Sequence, residues 1–199
     1  MSKRILVVGA KGGSSRTTTS VLLATALAKF SDSAVGVVDL DPQASAHNWI
    51  TKFPIDNVHA VKAAGKHDFT ITDTQPLVTP SKAMVDSAKA ANLILLLASD
   101  SPLDIHASNL TVKNLLTTKA LKAKSHILFS RVMNGTGLAT QLNENAELIG
   151  IQRLKSVISL RNCYRLAPLK GWTALNAVAK QEIQKLTIEV LTLMNKQST

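Results

Sequence analysis

Residues 5–30 hold an order that few folds accommodate: an apolar β-branched run, Ile5–Gly9, a turn of mostly small residues, and an Ala- and Leu-rich segment of helical period, Thr17–Phe30. The alternation then repeats. Further candidate strands are Val35–Asp39, Phe69–Asp73, Leu93–Ala98, His126–Ser130 and Ser156–Ile158, nearly continuous in hydrophobicity, as strands covered on both faces are. Helices are expected between them at Ser81–Ala91 after Pro80, Ile105–Leu116 after a Ser-Pro turn, and Leu138–Ile149 after Gly135 and Gly137, with Ala174–Met194 closing the fold. This is the pattern of a doubly wound α/β fold, a mostly parallel sheet with helices on both faces. With 199 residues, 45% of them hydrophobic, and no repeat or linker-like tract, one domain over residues 1–199 is expected.

The longest strongly apolar run, Leu93–Ala98, is six residues, against about 20 for a membrane-crossing helix. The start has neither the apolar length nor the cleavage site of a signal peptide, so a cytoplasmic protein is expected. Cys163 is the single cysteine, and the five histidines (His47, His59, His67, His106, His126) are scattered without ligand spacing. Neither a disulfide nor a zinc site is expected.

The formal charge of +10 is unevenly placed. Residues 105–181 carry Lys113, Lys119, Lys122, Lys124, Arg131, Arg153, Lys155, Arg161, Arg165, Lys170 and Lys180 against only Glu144 and Glu147, whereas the first 104 residues are nearly balanced. A neutral half joined to a basic half suits contact with a polyanion, nucleic acid before membrane.

Gly9-Ala10-Lys11-Gly12-Gly13-Ser14-Ser15-Arg16-Thr17-Thr18 lies between the first strand and the first helix. A strand-to-helix turn of small residues leaves backbone N–H groups pointing inward, with the positive end of the helix dipole behind them, and so cradles polyphosphate. Val37-Val38-Asp39-Leu40-Asp41-Pro42-Gln43 ends the second strand with acids on the side where ligands bind in parallel sheets. Phe69-Thr70-Ile71-Thr72-Asp73 places another acid at a strand end.

Taken in this order, the motifs resemble the deviant P-loop ATPases of the ParA, MinD and nitrogenase iron-protein superfamily, the short plasmid-partition ParA proteins (ParF-like) above all. The likeness covers residues 4–131 well and the rest in outline. It implies a slow, partner-stimulated ATPase using ATP and Mg²⁺. By that resemblance Gly12, Gly13, Ser14, Ser15, Arg16, Thr17 and Thr18 line the phosphates, and Lys11 reaches the partner's phosphates in an ATP-dependent homodimer. Thr17, Asp41 and Asp73 serve the magnesium, and Asp41 positions the attacking water, with Lys11 and Arg16 as the other catalytic groups. A purely structural role, forming the turn and capping the next helix, suits Asp39 better than Asp41. Two positions depart from the pattern: Ser15 replaces a glycine, and Arg16 replaces the P-loop lysine.

The family likeness also implies non-specific DNA binding, here assigned to Arg153, Lys155, Arg161, Arg165 and Lys170 on short segments and turns, a nucleoid-associated location, and a ParB-like or other adaptor as activator. Tyr164 and Trp172 are expected in packing roles, Trp172 in the core or at a dimer interface. Cargo stays open between plasmid, chromosome and protein assembly. Two alternatives remain: a degenerate nucleotide-binding switch with little turnover, motivated by Ser15 and Arg16, and a MinD-like membrane ATPase. The latter fits less well, because Gln181–Gln197 is amphipathic but carries Glu182 and Glu189.

Overall fold

The computed structural model describes residues 2–77 and 79–196. Its strands β1 (Lys3–Val8), β2 (Val35–Asp39), β3 (Val58–Val61), β4 (Phe69–Asp73), β5 (Leu93–Ala98), β6 (Ser125–Val132) and β7 (Arg153–Ser159) form one sheet in the order β3-β2-β4-β1-β5-β6-β7. Every neighbouring pair is parallel. Because side chains alternate along a strand, the sheet feeds two cores. Ile5 and Val7 of β1 join Leu93, Leu95 and Leu97 of β5 on one face, and Leu6 and Val8 join Ile94 and Leu96 on the other.

The first face is covered by α1 (Arg16–Ser31), α2 (Ser45–Lys52), α8 (Asn162–Lys170) and α9 (Ala177–Lys196), the second by α3 (Lys82–Ala90), α4 (Pro102–Leu115) and α7 (Leu142–Ile149). Residues 19–28 of α1 are all buried, as in a helix enclosed by neighbours on every side rather than one with a solvent face. α5 (Lys119–Ala123) leads into β6, and α6 (Gly137–Thr140) precedes α7.

Several elements differ from the sequence expectation. β3, α2, α5 and α8 were not expected, and Leu138–Ile149 is two helices parted at Gln141. Residues Gly171–Ala174 form a 3₁₀ turn, and α9 begins only after Asn176, whose Oδ1 accepts the Ala179 N–H at 2.9 Å.

On the outer edge, α9 supplies carboxylates to β7. Glu189 accepts the Lys155 and Ser156 N–H groups at 2.7 and 2.8 Å, and Glu182 accepts the Ser159 hydroxyl at 2.7 Å. Ile183, Leu186, Val190 and Met194 of α9 are packed into the core, so that face is not presented to a membrane, while Val178 and Ile188 on the same helix are exposed. Among the described residues no helix is long and apolar enough to cross one.

Candidate nucleotide-binding site

The phosphate loop leaves β1 at the centre of the sheet, between the carboxyl ends of β4 and β5. For its N–H groups to face a ligand, its carbonyls must be satisfied on the other side. Several are. The Gly9 carbonyl accepts the Leu77 N–H at 3.0 Å, the Gly13 carbonyl accepts Arg131 Nη1 at 2.7 Å, and the Ser14 carbonyl accepts the Ser130 hydroxyl at 3.1 Å. The first-turn N–H groups of α1 have no helical acceptors of their own and add to the cradle. Gly13 (φ 73°) and Ser15 (φ 65°) make the bend in left-handed conformations. A Cβ at Gly9 would lie 2.9 Å from Ser14 Oγ and 3.2 Å from the Leu97 carbonyl, so only glycine fits there.

Arg16 is folded beneath the loop and 7% exposed. Its Nε donates to the Thr74 carbonyl at 2.9 Å, while Nη1 donates to Ser14 Oγ at 2.7 Å and to the Lys11 and Gly9 carbonyls. Burial lowers its pKa, partly offset by the nearby Asp73 and Asp41 carboxylates. Lys11 extends the other way, its Nζ 2.8 Å from Asp104 Oδ1 in the first turn of α4. Burial acts to raise the Asp104 pKa, but hydrogen bonds from Lys11 and Ser99 outweigh it and hold the carboxyl below its ordinary range.

Asp73 is fully buried at the end of β4 and accepts the Thr17 hydroxyl at 2.7 Å and the Ser20 hydroxyl at 2.9 Å. Burial pushes its pKa up to about 6 despite those two bonds. The two acids at the end of β2 have different surroundings. Asp39 accepts the N–H groups of Asp41, Ala46 and His47 and so holds the turn and the start of α2. Among the described residues the Asp41 carboxylate accepts only the Gln43 N–H, at 3.0 Å, and it lies close enough to act on Arg16 electrostatically.

Beside the loop lies a cavity of about 510 Å³ bordered by Gly13, Thr18, Leu22, Arg131, Tyr164 and Arg165. The sequence reading did not find it. Its walls come from the ends of β6 and β7 and from α8, far apart in the chain, and only the parallel sheet brings them to the phosphate loop.

The family profile of the CobQ/CobB/MinD/ParA nucleotide-binding domain matches residues 5–192. The chain belongs to this family. Within the ParA/MinD group it is similar to the maintenance of carboxysome distribution protein A of Halothiobacillus neapolitanus, 24% identical over 94% of this chain and 95% of the relative. A McdA variant of Cyanothece solved in complex with ATP superposes with a TM-score of 0.74, at 14% identity over 96% of each chain. A plasmid partition protein from Borrelia burgdorferi gives a TM-score of 0.66 at 15% identity, over 96% of this chain and 98% of the other.

In this ParA/MinD-type domain the basic residues singled out in the sequence are dispersed. Arg153 and Lys155 lie on the edge strand β7, Arg161 caps α8, and Arg165 and Lys170 are on α8, a helix where turns were expected. Arg153 Nε donates to Asn143 Oδ1 at 2.6 Å, and Arg161 pairs with Glu182 at 2.8 Å. Arg161 and Arg165 border the cavity, and Lys155, Arg165 and Lys170 are exposed. Tyr164 is buried, its hydroxyl on the Ala179 carbonyl and Glu182, and Trp172 packs edge-to-face on Phe30. Cys163 is a free thiol packed against the core. His59 and His67 have ring centroids 5.3 Å apart; among the described residues no three His, Cys, Asp or Glu side chains are grouped to hold a metal ion.

Proposed function

We propose that this protein is a ParA-type ATPase that binds ATP with Mg²⁺, closes on it as a homodimer, and in that state holds non-specific DNA as a track for positioning a cargo. The observation that carries the reading is the loop whose Gly9, Lys11, Gly13 and Ser14 carbonyls are engaged by protein donors, which leaves N–H groups and the α1 terminus for a cradle lined by residues 13–18. The residues fit the nucleotide: backbone N–H groups from Gly12 to Thr18 would take the phosphates, and the adjoining cavity has the size and mixed lining for a base. Magnesium would take phosphate oxygens and Thr17, with Asp73 supporting Thr17 from behind. Asp41, with one carboxylate oxygen outside the turn bond, is the residue to orient a water.

A second chain is favoured by the apolar residues around the loop. Leu103, Met133, Leu138 and Leu160 follow β5, β6 and β7 at the same end of the sheet and are all exposed. The exposed Lys155, Arg165 and Lys170 suit phosphate contacts that carry no base readout. A protein assembly is the cargo suggested by the relative named for carboxysome distribution, and a plasmid by the partition protein; an adaptor would link either to the dimer. Such a protein would work in the cytoplasm, on the nucleoid.

A second reading, a nucleotide switch with little turnover, is favoured by Arg16, whose Nε and Nη1 hydrogens are committed to protein acceptors. Turnover and oligomeric state measured with ATP and with ADP, with and without duplex DNA, separate the two. Slow turnover with an ATP-dependent dimer supports the ATPase; a nucleotide-dependent dimer without turnover supports the switch. No nucleotide binding overturns both.

A further inference from the structure

We infer that Arg16 is a positioning residue, a brace that fixes the shape of the phosphate loop from beneath rather than a ligand of the phosphates. The inference deepens the nucleotide-binding reading and rests on it for its ligand arm only. A guanidinium has one hydrogen on Nε and two on each Nη. Here the Nε hydrogen goes to the Thr74 carbonyl, just past β4, and the two on Nη1 go to the loop: Ser14 Oγ, the Lys11 carbonyl and, at 3.2 Å, the Gly9 carbonyl. Thr74 is itself tied to β1, its hydroxyl donating to the Val7 carbonyl at 2.9 Å. A continuous path of buried hydrogen bonds therefore runs from β1 through Thr74 and Arg16 into the loop.

The fork geometry makes this an arginine's task. A lysine ammonium carries its three donors on one atom, so it cannot serve the Thr74 carbonyl on one side and three loop acceptors on the other. Among the described residues no carboxylate makes an ion pair with Arg16, so its charge is held by carbonyl dipoles and stays under the cradle. From there it favours an anion through the field without touching it. The replacement of lysine at this position thus goes with a loop shaped before ligand arrives.

The test uses the full chain. In the native protein, the Arg16 Nε–H resonance should exchange slowly with water and keep its position when ADP or a non-hydrolysable ATP analogue is added. A resonance that moves with the analogue overturns the brace. The Arg16→Lys variant, without nucleotide, should melt about 5 °C lower, as expected for the loss of buried hydrogen bonds in a chain of this size. Its amides at residues 9–15 should exchange faster. It should bind ADP and the ATP analogue more weakly by the same factor, on the order of tenfold.

A phosphate ligand behaves differently: the ligand-free melting point stays put and the loss falls mainly on the triphosphate. That outcome, or an Arg16→Lys variant that binds ATP as tightly as the native chain, overturns the proposal. The Arg16→Ala variant should recover part of its nucleotide affinity in added guanidinium ion, and no recovery counts against the brace. If the native protein binds no nucleotide, the functional reading fails while the ligand-free melting and exchange measurements still decide the brace.

Discussion

Ser15 shows what one side chain costs at this site. Its φ of 65° is in the left-handed region, where a Cβ is unfavourable by about 1 kcal/mol, and its hydroxyl makes no capping bond to α1. Glycine would relieve that strain but loses more chain entropy on folding, about 0.5 kcal/mol of the gain. We therefore expect Ser15→Gly to raise the melting temperature by about 1–2 °C, as measured by calorimetry. It should also leave nucleotide affinity unchanged or improved, because the carbonyl contacts from Arg131 and Ser130 hold the bend in either case. A fall in melting temperature would show that the serine hydroxyl contributes to the loop.

At the scale of elements, the edge of the sheet is where sequence reading and structure part. The runs Val35–Asp39, Phe69–Asp73 and Leu93–Ala98 were legible to the residue because both faces of these strands are covered and their apolar or β-branched character is nearly unbroken, Thr70 and Thr72 being the polar residues within β4. β3 escaped notice because only Val58 of its four residues is fully buried, and α8 because Pro168 and its charged residues mask the period. The loop between β1 and α1 and the turn held by Asp39 were legible because each is built from residues close in the chain, whereas the bonds of Asp73 to Thr17 and Ser20 join segments far apart in sequence. The cavity was not, since it is assembled across β6, β7 and α8. Glu182 and Glu189 were read only as charges unsuited to a membrane helix, whereas each is aimed at the backbone of β7. For Glu182, burial alone would raise the pKa, but hydrogen bonds from Arg161, Ser159 and Tyr164 outweigh it and bring it below the ordinary value of 4.5. The folded state thus binds this proton less readily than the unfolded chain, so the stabilisation is present above about pH 4.5 and is lost as pH falls through the lower folded value. Glu182→Gln should cost about 2 kcal/mol at pH 7, and the gap to the native protein in urea melts should narrow as pH falls below the ordinary value of 4.5. A gap independent of pH would mean that the side chain acts by packing and not by charge.

For the molecule as a whole, the position of Lys11 links the single chain to the proposed dimer. In one chain its ammonium rests on Asp104, with the two side chains 42% and 19% exposed, so the pair contributes little, about 0.5–1 kcal/mol. A lysine that must leave this partner to reach a second chain's phosphates gives up that amount in each protomer. Asp104→Asn removes the competitor and should tighten ATP-dependent dimerisation on the order of tenfold, two such contributions being released together. Loss of the acid from the first turn of α4 also weakens that helix slightly, which lowers the melting temperature but does not favour association. Sedimentation across a concentration series distinguishes these effects: the Asp104→Asn protein should dimerise at lower concentration with ATP and stay monomeric with ADP. Lys11→Ala should stay monomeric with both, and Lys11→Ala combined with Asp104→Asn should match Lys11→Ala alone, because the gain requires the lysine that was freed. A double variant that dimerises would place the effect at the exposed Leu103 surface next to Asp104 and would remove Lys11 from the interface altogether.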